Sequence, residues 1–210
     1  ANNGGKFSVD VTYLAEAERT GHVTVAPLHR VNDIERAPDG TWIVHVDRIH
    51  TDGTVLERKR ILTPSLFLGA GSAGTTRLLV KARARGLVPD LPEGVGTGWG
   101  NNGDRVFAVT TPLLSPGDHQ GGPACVGARD HSDTAGPVMI ISGPVPFPLD
   151  LGTTTMIGLG LVEGRGTWHY DAVRDDAVLN WDQTYDRELT RAIEERIRRI
   201  AGPAAGGIDI

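Results

Sequence analysis

The chain of 210 residues carries a formal net charge of −5, with 21 basic and 26 acidic side chains interspersed along it. Because nucleic-acid binding depends on clustered Lys and Arg side chains, this charge pattern excludes that class of partner. The apolar fraction of 39% is sufficient for a globular core. No apolar run approaches the ~18 residues of a membrane span, so we expect no stable membrane insertion.

The ends of the chain give little information about its compartment. The first residue is Ala1 rather than Met, and the polar residues after it lack the charged-then-apolar pattern of a secretion signal. We therefore expect a processed or internal start. A single cysteine excludes an intramolecular disulfide and leaves both a secreted and a cytoplasmic location open.

The first half of the chain predicts a helix, paired strands and a second helix. Ser8 is the predicted cap of the first helix and Gly21 its predicted end. The second helix follows the glycine-rich turn at 69–74 and is predicted to end near Gly86. Turn sequences at 38–40 and 51–53 separate segments of alternating apolar residues, which indicates hairpins. The predicted strands are His22–Val25, Leu28–Ile34, Trp42–Asp47, Val55–Leu62 and Leu66–Leu68.

The second half predicts a mainly antiparallel sheet with one packed helix. The segment Leu87–Gly103 is too rich in Gly and Pro for a regular element, so we place a crossing between domains 1–103 and 104–210 there. The whole chain then has an α+β fold, with an α/β-type first portion. Predicted strands are Arg105–Thr111, Val138–Ser142, Thr153–Val162, Thr167–Tyr170 and Ala177–Trp181, and the helix carries Leu189, Ile193, Ile197 and Ile200 on one face.

The stretch LFLGAGSAGTTRLL, residues 66–79, predicts a strand, a tight turn and a helix, and three interpretations fit it. As Gly-x-Gly-x-x-Gly it is a phosphate-binding turn, but the acidic residues near the required distance, Asp90 and Glu93, lie in a proline-rich segment without a strand. Around Ser72 it imitates a hydrolase nucleophile elbow, although nothing frames an acid or a histidine as partner. Alternatively, the glycines only allow a strand and a helix to pack closely.

One cluster has the residue types of a metal or catalytic site. The run Asp130-His131-Ser132-Asp133 is explained by short side chains that cap their own turn. We predict no metal.

Five stretches, in the same order and at similar spacing, carry a resemblance to the middle of a sterol-oxidising member of the glucose-methanol-choline family of flavin-dependent oxidoreductases. The resemblance extends over nearly all of the chain. The stretches are SVDVTYLAEAERTGHVTVAPLHRV, LFLGAGSAGTTRLLVKARARG, EGVGTGWGNNG, GRGTWHYDAVRDDAVLNW and the last helix.

The resemblance implies that residues 1–103 are part of an FAD-binding domain and that residues 104–210 form a substrate-binding domain. The backbone at Val31 would lie against the adenine of FAD, and the turn of Gly69, Ala70 and Gly71 beside the dinucleotide. The implied reaction is oxidation of the hydroxyl of a sterol-like or other bulky apolar alcohol by hydride transfer to the flavin.

The implied substrate site is an apolar sheet face that suits a flat hydrophobic ligand. It would include Met139, Ile141, Met156 and Leu159. Ile141 aligns with the glutamate that moves a proton during double-bond isomerisation in the family. Because an aliphatic side chain has no proton to exchange, isomerisation through this residue is excluded.

The family's first phosphate loop and its catalytic histidine and asparagine have no counterpart in this sequence. We therefore expect a fragment whose partners are the remaining N- and C-terminal segments of the same protein and an apolar small molecule. The alternative is a flavin-free descendant that acts as a binding protein, or as a lyase or isomerase, on an apolar ligand.

Overall fold

The computed structural model describes residues 7–110, 127–130, 136–143, 153–202 and 206–209. The helices are a short 3-10 turn (Val9–Val11), α1 (Tyr13–Arg19), α2 (Gly71–Ala84) and α3 (Thr184–Ala201). The strands are β1 (His29–Arg36), β2 (Trp42–Ile49), β3 (Val55–Thr63), β4 (Asp104–Thr110), β5 (Gly127–Asp130), β6 (Val138–Gly143), β7 (Thr153–Leu159), β8 (Thr167–Asp171), β9 (Asp176–Asn180) and β10 (Gly206–Asp209). These elements confirm the α+β class, and every recorded strand pairing is antiparallel.

The chain divides into two compact units. The first unit comprises Lys6–Trp99 and Gly166–Trp181, and the second contains Gly100–Arg165 and Asp182–Ile210. This division differs from the predicted bounds 1–103 and 104–210, because the β8–β9 hairpin returns to the first unit. There Trp168 and Ala177 of the hairpin are buried against Val80 of α2.

In the first unit, α2 packs between a sheet and a hairpin. The sheet has the order β1-β2-β3, and its Ile34, Val44 and Val46 form a core with Ala82 of α2. The backbone N–H of Arg36 donates to the carbonyl of the residue at 87, three positions beyond α2. The hairpin covers another side of the same helix.

In the second unit, α3 covers one face of a five-stranded sheet with the order β10-β4-β7-β6-β5. Its predicted apolar stripe is confirmed for Leu189, Ile193 and Ile197, whereas Ile200 is exposed. The buried core consists of these three side chains with Phe107, Val109, Val138 and Ile140. None of the helices in the described ranges combines the length and apolarity that a membrane crossing requires.

Two predicted strands were wrong. Residues 22–25 and 66–68 are extended or irregular but belong to no strand. Leu66 and Leu68 pack against the core of the first unit, while Phe67 between them is 93% exposed. An extended segment forms a strand only when a neighbouring backbone completes its hydrogen bonds, and no described strand pairs with either segment.

Candidate functional site

The first candidate site is the glycine corner, which we define as Gly69, Ala70 and Gly71 at the start of α2. Gly71 has φ of +75°, a left-handed conformation that favours glycine. Ala70 provides no side-chain cap, and the first turn of α2 contains no acidic residue. The corner therefore presents backbone N–H groups of the first turn without a capping side chain, an arrangement that attracts anions.

Space is open on the side-chain side of this corner. A Cβ built on Gly69 or on Gly71 would meet no atom within 4 Å. All three residues of the corner are exposed. The described part of the chain therefore gives no packing reason for glycine at 69. At the third glycine of the motif, Gly74, an added Cβ would come 3.0 Å from the Cβ of Ala70.

Val31 lies on β1 opposite Val46 and is 39% exposed. The pairing of β1 with β2 shifts register between Val31 and Asp33, so Asn32 forms a bulge. Because a bulge leaves one residue unpaired and bends the strand, the residue next to Val31 has no partner residue on β2.

Val31 and the glycine corner lie toward the same end of the first unit. Lys81 Nζ of α2 lies 3.2 Å from Asp33 Oδ1 of β1, and the Arg36 N–H meets the chain just beyond α2, so strand and helix advance in the same direction. Along β1, Val31 lies about 7 Å before Asp33. Along α2, Gly71 lies about 15 Å before Lys81, in the same direction. The structure thus places both predicted cofactor segments at one end.

A charged cluster lies two residues along β1 from Val31, at Asp33, and was missed by sequence reasoning. Lys81 has a side chain only 11% exposed, and its Nζ lies 3.2 Å from Asp33 Oδ1 and 3.2 Å from Asp175 Oδ2. The Tyr170 hydroxyl donates to Asp175 Oδ1 at 2.8 Å. This hydrogen bond, and then Lys81, hold the pKa of Asp175 below its ordinary value, and Asp175 in turn raises the pKa of Tyr170.

The cluster borders a polar pocket of about 620 Å³ in the first unit. The only sequence signal for it was Lys81 between Val80 and Ala82, a charge on the buried side of a helix. The pocket is lined by Asn32, Asp33, His45, Val46, Asp47, Arg58, Lys59, Arg60, Lys81 and Asp175.

The second candidate site is the open face of the second sheet, the side away from α3. Met139 pairs with Leu159, and Ile141 pairs with Ile157, so these four side chains point to one side. They form an apolar surface across β6 and β7, which β4 extends through the residue at 106. Three strands make this surface about 10 Å wide.

Met156 does not belong to the open face. It pairs with Phe107 and packs against the buried core beneath α3. The structure therefore places Met139, Ile141 and Leu159 on one face of the sheet and Met156 on the other, and their contact with a substrate stays a prediction. Met156 and Leu159 are three positions apart in one strand, and side chains alternate, so the spacing alone was sufficient to separate them.

The described residues contain no group of His, Cys, Asp and Glu that could hold a metal ion. In the run 130–133, Asp130 is paired with arginines of α3, with Arg199 Nη2 at 2.8 Å and Arg196 Nε at 3.4 Å from its Oδ2. Residues 131–133 lie outside the described part of the chain.

Comparison with known proteins supports the resemblance noted from the sequence. No protein-family model matches the chain. The chain is similar to the cholesterol oxidases of two strains of Mycobacterium tuberculosis, CDC 1551 / Oshkosh and ATCC 25618 / H37Rv, with 34% identity over 116 residues in each case. The match covers 54% of this chain and spans 19% of the length of each relative. The resemblance to a cholesterol oxidase is thus confirmed over about half of this chain.

Proposed function

We propose that this chain is part of an FAD-dependent oxidoreductase that oxidises the hydroxyl of a sterol-like or other bulky apolar alcohol. The observation that carries this proposal is the 34% identity over 116 residues to two cholesterol oxidases. When bound, FAD supplies the oxidising chemistry by accepting a hydride from the carbon that bears the hydroxyl. The catalytic histidine and asparagine of the family match no position here, so this chain contributes binding surfaces.

The first unit would hold the dinucleotide through its backbone. Val31 would face the adenine, while Gly69, Ala70 and Gly71 would flank the phosphates. The open space at Gly69 and Gly71 and the uncapped first turn of α2 fit such a group, since a side chain in that space would keep a ligand away from the backbone.

The second unit would bind the apolar part of the alcohol on its open face. Met139, Ile141 and Leu159 offer a flat apolar surface, and burial of such surface contributes roughly 25 cal/mol per Å². Ile141 occupies the middle of this surface, half-buried and paired with Ile157. Because its side chain carries no ionisable group, the oxidised product would leave with its double bond in the original position unless another residue moved the proton.

The test uses the product of the complete gene that contains this chain. We expect the purified protein to show flavin absorbance at about 450 nm and to lose it when cholesterol is added without oxygen. Leu159→Asp on the open face should slow this bleaching at least about tenfold, because a carboxylate must be desolvated against the ligand. Val173→Asp is the matched control, since Val173 is 96% exposed in a turn of the first unit.

Two outcomes would contradict the proposal. A colourless complete protein that binds no added FAD would overturn the oxidoreductase function. If such a protein still bound cholesterol, the flavin-free binding protein would replace it, an alternative that the aliphatic residue at Ile141 also fits. Equal bleaching rates for Leu159→Asp and Val173→Asp would remove the open face from the ligand site.

A further inference from the structure

We propose that the open face selects apolar alcohols that also carry a carboxylate, and that Arg129 binds this carboxylate. The inference rests on the proposed function, because it assumes that an apolar alcohol lies on this face. It adds a specificity-determining residue and a narrower substrate class.

The geometry that points to Arg129 is the register of the edge strand β5. Arg129 pairs with Met139, so its side chain lies on the same side of the sheet as Met139 and Leu159. Together with Pro137 and Leu161 these residues line a pocket of about 200 Å³. Arg129 and Asp130 are the two charged residues that line this pocket, and the other lining residues are apolar side chains and Gly160.

The charge of Arg129 is available to a ligand. Within the described part of the chain, Arg129 makes no ion pair and no hydrogen bond. The neighbouring Asp130 also lines the pocket, but alternation directs it to the α3 side, where Arg199 and Arg196 pair with it. The acid nearest in sequence therefore does not neutralise Arg129.

The size of the pocket indicates how much of a ligand it takes. Whole-ligand sites usually enclose ~300–1,000 Å³, so a pocket of about 200 Å³ holds one end while the rest lies along the open face. Gly127 lets the side chains of Met139 and Ile141 lie against β5, because a Cβ at position 127 would come 3.1 Å from Met139 Cε and 3.2 Å from Ile141 Cγ2. A planar guanidinium beside an apolar floor matches a carboxylate at the end of an apolar body.

The experiment compares two probes that share one sterol body and differ at one end, where one carries a carboxylate and the other its neutral methyl ester. These are hydroxycholenic acid, a sterol with its hydroxyl at one end and a carboxylate at the other, and its methyl ester. Binding to the complete, flavin-loaded protein is measured by titration. We expect the wild-type protein to bind the acid roughly three- to tenfold more tightly than the ester, a modest factor because Arg129 is exposed.

Two variants separate the role of Arg129 from a general charge effect. In Arg129→Gln the ratio of acid to ester affinity should fall to about one, since Gln retains polar character without charge. Arg191→Gln is the matched control, because Arg191 is an exposed arginine on α3, which covers the other face of the sheet. Its ratio should equal that of the wild type.

The outcomes distinguish this inference from the proposed function. Equal affinity of the wild-type protein for acid and ester, or a preference for the acid that survives in Arg129→Gln, overturns the role of Arg129 alone. If neither probe binds, the apolar-alcohol site itself is refuted and the inference falls with it.

Discussion

Replacing Gly69 by alanine separates the needs of the chain from those of a bound cofactor. A Cβ at this position meets no atom within 4 Å, and the φ of Gly69 lies outside the left-handed region that excludes other residues. Because alanine also narrows the unfolded ensemble, Gly69→Ala should stabilise the FAD-free protein by about 0.4–1 kcal/mol. The chain alone should therefore tolerate or favour the change.

The expected effect on FAD has the opposite sign. If the backbone at Gly69 contacts the dinucleotide, the added methyl group occupies space that a ligand atom requires. Overpacking of this kind costs about 1–3 kcal/mol, which corresponds to roughly 5- to 150-fold weaker binding. The assay is titration of FAD into the FAD-free complete protein, followed by flavin fluorescence, with thermal unfolding of the same sample.

Gly53→Ala is the matched control for this experiment. Gly53 also has open space around its Cβ, but it has φ of +89° in the turn between β2 and β3. Its replacement should cost stability without changing the affinity for FAD. Wild-type FAD affinity in Gly69→Ala would refute the assignment of the glycine corner to the cofactor.

Three further predictions concern packing, pH dependence and product. Gly158→Ala should lower the free energy of unfolding by about 1–3 kcal/mol in thermal denaturation, because its Cβ would come 2.2 Å from Ile193 Cγ2 of α3; an unchanged midpoint would contradict this packing. The pKa of Asp175 is lowered, first by the hydrogen bond from Tyr170, so its carboxylate contributes stability above about pH 4 that is lost as pH falls through the folded pKa. In Asp175→Asn the urea midpoint of unfolding should therefore fall less steeply with decreasing pH than in the wild type. An equally steep fall in both proteins would argue against this contribution. Ile141→Glu should generate a conjugated enone from cholesterol, seen by ultraviolet absorbance, whereas a wild-type protein that forms it as fast as it oxidises would disprove the role of this position.

The elements that the sequence predicted well are those whose evidence is local. The strands on both sides of the turn at 51–53 follow from alternation and from Asp-Gly turn chemistry, and α3 follows from the spacing of Leu189, Ile193 and Ile197. The segment 66–68 is as apolar as a strand, but a strand needs a neighbouring ladder, and that partner is not encoded in the segment itself. Sequence periodicity therefore predicts extension and not pairing.

The candidate sites show the same limit for side chains. The open face could be predicted for Met139 and Ile141, which are two positions apart, and the spacing of Met156 from Leu159 was sufficient to exclude Met156. No spacing rule reveals that Arg129 makes no ion pair while its neighbour in sequence is doubly paired. That difference depends on helix α3, which lies far along the chain, so only the fold discloses which charge is available to a ligand.

The structural role of a glycine in this chain depends on the atoms around it. Gly158 and Gly160 lie where a Cβ would come within 2.2 and 2.4 Å of α3 side chains, so glycine there permits the sheet and helix of the second unit to approach. Gly69 has no neighbour of this kind, and its backbone does not require glycine. Under selection for stability alone, alanine would be preferred at such a position. A glycine that its own described chain does not require fits the proposal that a dinucleotide approaches the backbone at this corner.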